Sequence, residues 1–215
     1  MTEPMAHDDI EALFTRADGS YLFCRWGRPV VPIVFGVDDR TLRTVKGAIE
    51  AVVTLADHSM ADSDPELGAN LMFFFFRDWS ELTEVPGLDR LIPDLAPLID
   101  RLQSEDASQY RMFRFDEAGA IRASFVFLRM EGELADQPAE TLALNQVVQS
   151  ILLWSDTAFA ERSPLARLPG NGRVILRPEI AGVIRAAYDP VMPAVARDAS
   201  HALRIAARLR TSGGE

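Results

Sequence analysis

The sequence predicts an α+β fold: a single domain in which a mixed or antiparallel sheet of about four to five strands packs against helices. Three observations lead there. "ANLMFFFF" (residues 69–76) is an unbroken apolar run of strand length. It lacks alternation, so both of its faces are expected to be buried, as in a central strand. "YRMFRFDEAGAIRASFVFLRM" (residues 110–130) has two apolar, aromatic halves around the turn "DEAG", the pattern of a β-hairpin. Around these strands run segments whose apolar residues recur at helical spacing.

The elements follow in order. "GSYLFCRWGRPVVPIVFG" (residues 19–36) is rich in aromatic and β-branched residues and predicts two strands or one bent strand. Pro29 and Pro32 place it at an edge or a bulge. In "DDRTLRTVKGAIEAVVTLADHS", Leu42, Val45, Ile49, Val52, Val53 and Ala56 mark one helical face, with Asp38 or Asp39 as N-cap. "DWSELTEV" and "GLDRLIPDLAPLIDRLQSED" read as helical, broken or kinked at Pro93 and Pro97. In the hairpin, Met112, Phe113 and Phe115 lead into the turn, and Ile121, Phe125 and Phe127 lead out. A helix is expected over 138–154, with Pro138 in its first turn and Glu140 near the positive end of its dipole. "ERSPLARLPGNGRVILRP" reads as a turn-rich loop. "PEIAGVIRAAYD" and "PVMPAVARDASHALRIAARLR" predict two closing helices around Pro190 and Pro193, with Arg204, Arg208 and Arg210 at the negative end of the last. No repeat or linker interrupts the chain. Residues 1–18 are expected as an N-terminal extension, 19–211 as the domain and 212–215 as a flexible tail.

Bulk properties narrow the function. The 215 residues are 48% hydrophobic and 25% charged, an ordinary globular composition. A net charge of −10 repels phosphate backbones, so no nucleic-acid partner is expected. Cys24 is the single cysteine, so no disulfide within the chain is available and nothing points to an oxidising compartment. The first residues, "MTEPMAHDDIEALFTRADG", are acidic and polar, unlike a secretory leader. No apolar run has membrane-spanning length. These features predict a cytoplasmic protein with no membrane partner. No cofactor motif is present: "LPGNGRV" (residues 168–174) lacks the strand–turn–helix context of a dinucleotide or phosphate loop and reads as a turn. A G-x-S-x-G nucleophile elbow is absent too.

The helix over 138–154 carries the most specific pattern. Asn145, Gln146 and Gln149 have the spacing of H-E-x-x-H, the helical zinc-protease signature, with amides in place of its imidazoles and acid. Asn145 and Gln149 share one face, and Gln146 lies about 100° round from Asn145. Leu144, Val147, Val148 and Ile151 form the opposing apolar stripe. The geometry of a metal helix is available, but the chemistry is not. Zinc takes imidazole, thiolate or carboxylate, and a carboxamide oxygen is a weak, neutral donor. An amide also has no basic pKa with which to take a proton from water. Two further readings stay open: the wet face of an amphipathic helix, and partly buried amides with a structural role.

The order of features resembles an uncharacterised bacterial family of mostly exported or lipid-anchored proteins, whose core looks like a degenerate zincin-type metalloprotease domain. The resemblance rests on "RWGRPVVPIVFG", "GANLMFFFF", the hairpin, "NQVVQSILLWSDTAF" and "AAYDPVMPAVARDASHA", and spans roughly Arg25 to His201. In that family the helix usually carries paired glutamates and a glutamine, and a Tyr-Asp-Pro follows one helix later. Those positions fall here on Asn145, Gln146 and Gln149, and on Tyr188, Asp189 and Pro190. Both glutamates have become amides, and the family's cysteines and export signal are missing. The resemblance therefore implies a zincin-like outline without metal or hydrolysis; the family itself implies no established reaction.

The remaining candidate residues each have an ordinary role as well. His7, His58 and His201 are far apart, and none has a second ligand at zinc spacing; His201 reads as a surface residue. "ADHSMADSDPEL" offers a hard cation Asp62, Asp64 and Glu66, without the register of an EF-hand, and a solvated acidic loop is the simpler reading. Cys24, between Phe23 and Arg25 in an aromatic strand, reads as inert packing. Arg25, Trp26 and Arg28 form a cationic-aromatic cluster suited to a partner contact or to guarding an edge strand.

Three functions compete. The first is a non-catalytic, pseudo-protease-like domain binding a protein or peptide along an edge strand. The second is a hydrolase-type enzyme with a site assembled from Asp57, His58, Asp156, Tyr188 and Asp189. The third is a self-associating structural protein using the small-residue face of Ala194, Ala199, Ala202, Ala206 and Ala207. The amide stripe favours the first.

Overall fold

The aromatic run ends up where its lack of alternation requires, inside a sheet covered on both faces. The computed structural model describes residues 5–170 and 172–212; expectations that fall on 1–4, on Asn171 and on 213–215 lie outside the described residues. In chain order the elements are α1 (His7–Ala12), β1 (Phe23–Cys24), β2 (Pro32–Phe35), α2 (Asp39–Leu55), β3 (Leu71–Phe76), a 3-10 turn (Trp79–Glu84), α3 (Leu88–Leu91) and α4 (Leu95–Ser104). There follow β4 (Gln109–Phe115), β5 (Ile121–Arg129), α5 (Gly132–Ala135), α6 (Ala139–Ile151), β6 (Leu165–Arg167), β7 (Val174–Leu176), α7 (Pro178–Tyr188), β8 (Val195–Ala196) and α8 (Ser200–Ser212).

Among the described residues the main sheet has four strands in the order β2-β3-β5-β4. β2, β3 and β5 run parallel, and β4 pairs antiparallel with β5 through the predicted hairpin. The fold is thus α+β with a mixed sheet, as the sequence predicts. Pleating sorts the apolar run by parity. Leu71, Phe73 and Phe75 join Val126 and Leu128 against α2, α6 and α7. Met72, Phe74 and Phe76 join Phe125 and Phe127 beneath the 3-10 turn, α3 and α4. Gly36 closes β2 at φ +81°, and a Cβ there would lie 1.9 Å from the Phe75 carbonyl oxygen, so only glycine permits that approach.

α2 starts at the N-cap Asp38, whose side chain accepts from the Thr41 amide, and packs along α6. α6 stops at Ile151, three residues before the predicted end. Leu152 turns extended and bridges Arg25, and the Leu153 amide donates to the Cys24 carbonyl. The freed carbonyls at the helix end are met by side chains: Trp154 Nε1 donates to Val148, Trp26 Nε1 to Ser150 and the Tyr188 hydroxyl to Ile151. That satisfies most of the acceptors a helix C-terminus leaves open and fixes α6 against two distant segments and the residues that follow it.

Three expectations need correction. Residues 190–199 are not helical: Val195–Ala196 pairs with Phe23–Cys24, and α8 begins only at Ser200. The loop over 161–178 contains the hairpin β6–β7. His201 is buried, sharing a hydrogen bond of 2.8 Å with the Tyr21 hydroxyl. In addition, Ile10, Leu13 and Phe14, within the stretch expected as an extension, belong to the core. Ala202 and Ala206 are also core residues, and α8 packs against α1 and α7, so part of the alanine face closes the domain.

Candidate functional site

The amides of α6 do not form a wet face. Gln146 is 1% exposed, and Asn145 and Gln149 are half-buried. Opposite them runs β4, the antiparallel strand at the end of the sheet. Alternation along β4 turns Tyr110 and Met112 toward α3 and α4, and Gln109, Arg111 and Phe113 toward α6.

Arg111 meets the stripe with its whole guanidinium. Nη2 donates to Gln146 Oε1 at 2.5 Å, Nη1 to Gln149 Oε1 at 3.1 Å and Nε to Ser150 Oγ at 3.1 Å. Positions 146, 149 and 150 are three and four apart, one face of a helix, so a single planar fork reaches all three. The amide hydrogens go outward from this centre. Gln146 Nε2 donates to Gln109 Oε1 at 2.7 Å, and Gln149 Nε2 to Asn145 Oδ1 at 3.0 Å. Ser150 Oγ donates back to the Gln146 carbonyl at 2.8 Å.

Every partner of the guanidinium is neutral. Among the described residues Arg111 forms no ion pair. Burial pushes its pKa down to about 10, so it remains a cation at neutral pH. This decides how the stripe relates to metal. The oxygens of Gln146 and Gln149, which would have to face an ion, already face a fixed organic cation. A divalent ion in the same place would be repelled by that charge in a poorly screened setting. The donor set is therefore wrong for zinc both in ligand type and in charge.

Beside the network opens a cleft of about 680 Å³. Arg111, Asn145 and Gln149 line it on the sheet and α6 side; Phe113, Trp154 and Phe159 give it apolar wall; Arg16, Asp156 and Glu161 add charges. Among the described residues β4 has no strand on its second side, so the cleft runs along an edge strand.

The other nominated residues do not converge on one site. Asp156 reaches the cleft. His58 and Tyr188 meet elsewhere, their rings tilted by 53° with centres 5.1 Å apart. His58 Nε2 bonds the Arg28 carbonyl, and burial lowers the His58 pKa. Asp189 pairs with Arg208, and Asp57, at φ +50°, ends the turn after α2. Arg25 donates to the Met192 carbonyl and lies 5.2 Å from the centre of the Tyr188 ring, while Trp26 is 1% exposed. Arg28 pairs with Asp64 and Glu66, and Glu66 also pairs with Arg122.

The acidic loop is likewise committed to structure. Burial opposes ionisation of Asp64, but the amides of Leu67 and Glu66, the Asn70 side chain and Arg28 outweigh it and hold the carboxyl down to about 2. Asp62 lines a separate groove beside β2. Among the described residues no cluster of three or more His, Cys, Asp or Glu could hold a metal ion. Cys24 is buried, and burial raises its thiol to about 11, which suits packing.

Arg111, Gln109, Ser150 and Arg16 were not nominated from sequence. Arg111 shares its strand with Gln109 and a second arginine, Arg114, so its local sequence does not mark it out. No helix among the described residues is long and apolar enough to cross a membrane. No family model matches the chain, and neither a curated protein nor a solved structure matches it.

Proposed function

We propose that this chain is a non-catalytic, cytoplasmic binding domain whose cleft takes an extended peptide segment alongside β4. One observation carries the reading: the helix with protease-like spacing presents amides that are spent on Arg111, next to an open cleft on an unpaired strand edge. An edge strand offers main-chain donors and acceptors to an added strand, and the cleft offers pockets for alternate side chains. Hydrolysis by these amides is disfavoured because none can serve as a general base. The enzyme alternative loses ground because Asp156 lies in the cleft while His58 and Tyr188 pair elsewhere. The resemblance to a degenerate zincin-type family belongs to this reading, with the guanidinium standing where a functional relative would need a metal.

The test uses a library of N-acetyl hexapeptides, each prepared with an acid end and with an amide end. Binding to the isotope-labelled full chain is followed by amide NMR. The reading expects binders that shift and protect the backbone amides over Gln109–Phe115. A library without binders, or binders that leave β4 unperturbed, would defeat it.

A further inference from the structure

Arg111 is a partly buried cation that, among the described residues, has no anion to face. Buried charges are ordinarily paired, because neutral dipoles recover only part of the lost hydration. Here the three acceptors on α6 are all neutral, and among the described residues no ion pair reaches the guanidinium. Three of its five N–H donors are used, and the residue lines the open cleft. We infer that the occupant of this cleft carries a carboxylate, which Arg111 receives as its missing counter-ion. The inference rests on the peptide-binding reading for its preferred occupant, a chain ending in a free carboxylate.

The cleft discriminates among anions. Its charged lining is mixed, Arg16 and Arg111 against Asp156 and Glu161, so a multiply charged phosphate meets repulsion as well as attraction. The chain as a whole carries −10, which disfavours polyanions further. A single carboxylate matches a planar guanidinium in size, charge and directionality. Phe113, Trp154 and Phe159 give the rest of the ligand apolar surface, so the ligand chemistry is a monocarboxylate on an apolar body. Its source is a peptide C-terminus, an internal Asp or Glu, or a free organic acid.

The experiment compares the same N-acetyl hexapeptide library with acid ends and with amide ends, together with N-acetylphenylalanine and inorganic phosphate. Affinity is measured by titration on the full chain, and the Arg111 Nε–Hε signal of the labelled wild-type protein is followed by NMR. A charge-assisted contact predicts acid ends binding roughly ten- to a hundredfold more tightly than amide ends, with a shift of the Arg111 signal. Arg111→Met is expected to erase that difference and Arg111→Lys to retain part of it. The wild-type NMR measurement stands even if a variant fails to fold. Amide-ended binders confined to sequences with Asp or Glu also support the inference and place the source in a side chain. Binding of N-acetylphenylalanine alone supports the carboxylate and overturns the peptide reading. Neutral amide-ended peptides binding as well as acids overturn the carboxylate and leave the peptide reading standing. Phosphate binding more tightly than any carboxylate overturns the inference, and no binding by any probe overturns both readings.

Discussion

Gln146→Glu places a carboxylate where the Gln146 oxygen now accepts from Arg111 Nη2 at 2.5 Å. The change is nearly isosteric, and Gln109 can turn its amide to donate to the new oxygen. Burial has moved Arg111 from 12.5 to about 10; at ~1.4 kcal/mol per pKa unit this bounds the unfavourable desolvation at about 3 kcal/mol, and solvent at the partly exposed side chain lowers it below that bound. A counter-ion in contact recovers much of that, less the cost of burying the new carboxylate at a 1% exposed position. The net expectation is a stabilisation of roughly 1 kcal/mol at pH 7. The sign of its pH dependence is fixed. The folded pKa of the new acid falls below the unfolded value of about 4.3, so the gain is present above that value and is lost as pH falls through the folded pKa. Urea unfolding of wild type and variant at pH 7 and in steps down to pH 3 measures it. If the variant is less stable at pH 7 and recovers on acidification, the guanidinium is not an uncompensated charge, and the reading of the site fails. The same variant also neutralises the proposed anchor, so acid-ended ligands are expected to bind it more weakly than wild type.

Tyr188→Phe removes a hydroxyl that donates to Ile151 O at 2.8 Å and accepts from Trp26 N at 3.3 Å; the expected loss is about 1–3 kcal/mol in urea unfolding, with the contact of Arg25 on the ring retained. Burial lowers His201 to about 4, helped by Arg204. Between about 6.5 and 4 the unfolded chain therefore binds more protons, and stability falls as pH falls across that window by up to about 3 kcal/mol; His201→Gln is expected to flatten this slope. Gly36→Ala combines φ +81° with a Cβ placed 1.9 Å from a backbone oxygen, and is expected to cost at least about 3 kcal/mol by thermal or urea unfolding.

What the sequence disclosed was what local pattern can encode. The run at 69–76 lacked alternation and is covered on both faces; the halves flanking "DEAG" pair as β4 and β5. α8 shows the limit. "PVMPAVARDASHA" has helical composition, but Val195 and Ala196 pair with Phe23 and Cys24, a contact across most of the chain that no window can see. The burial of His201 is hidden for the same reason, since its partner Tyr21 is 180 positions away. The β6–β7 hairpin was more accessible: short apolar runs flank Pro169 and Gly170, a turn signal. The site was half legible. The i, i+3 and i+4 spacing on α6 showed that the amides could act together, but not what they face. Parity along β4 sends Arg111 to α6, whereas Arg114 bonds the Leu91 carbonyl on the other side. Only the assembled sheet shows which arginine meets the stripe.

That placement has a mechanical consequence. Arg111 is the fixed link between β4 and α6: one side chain on the strand holds three groups spread over more than a turn of the helix. α6 is pinned again at its C-terminus by Trp26, Tyr188 and Trp154. The wall of the cleft on this side is therefore set by hydrogen bonds made before any ligand arrives. Holding a guanidinium still in the free protein removes much of the side-chain ordering cost that binding would otherwise incur. The amides thus do for an organic cation what ligating residues do for a metal: they fix its position and orientation. Unlike a metal's ligands, they leave its full charge uncancelled, and Arg111 lines the cleft, where a ligand can answer that charge.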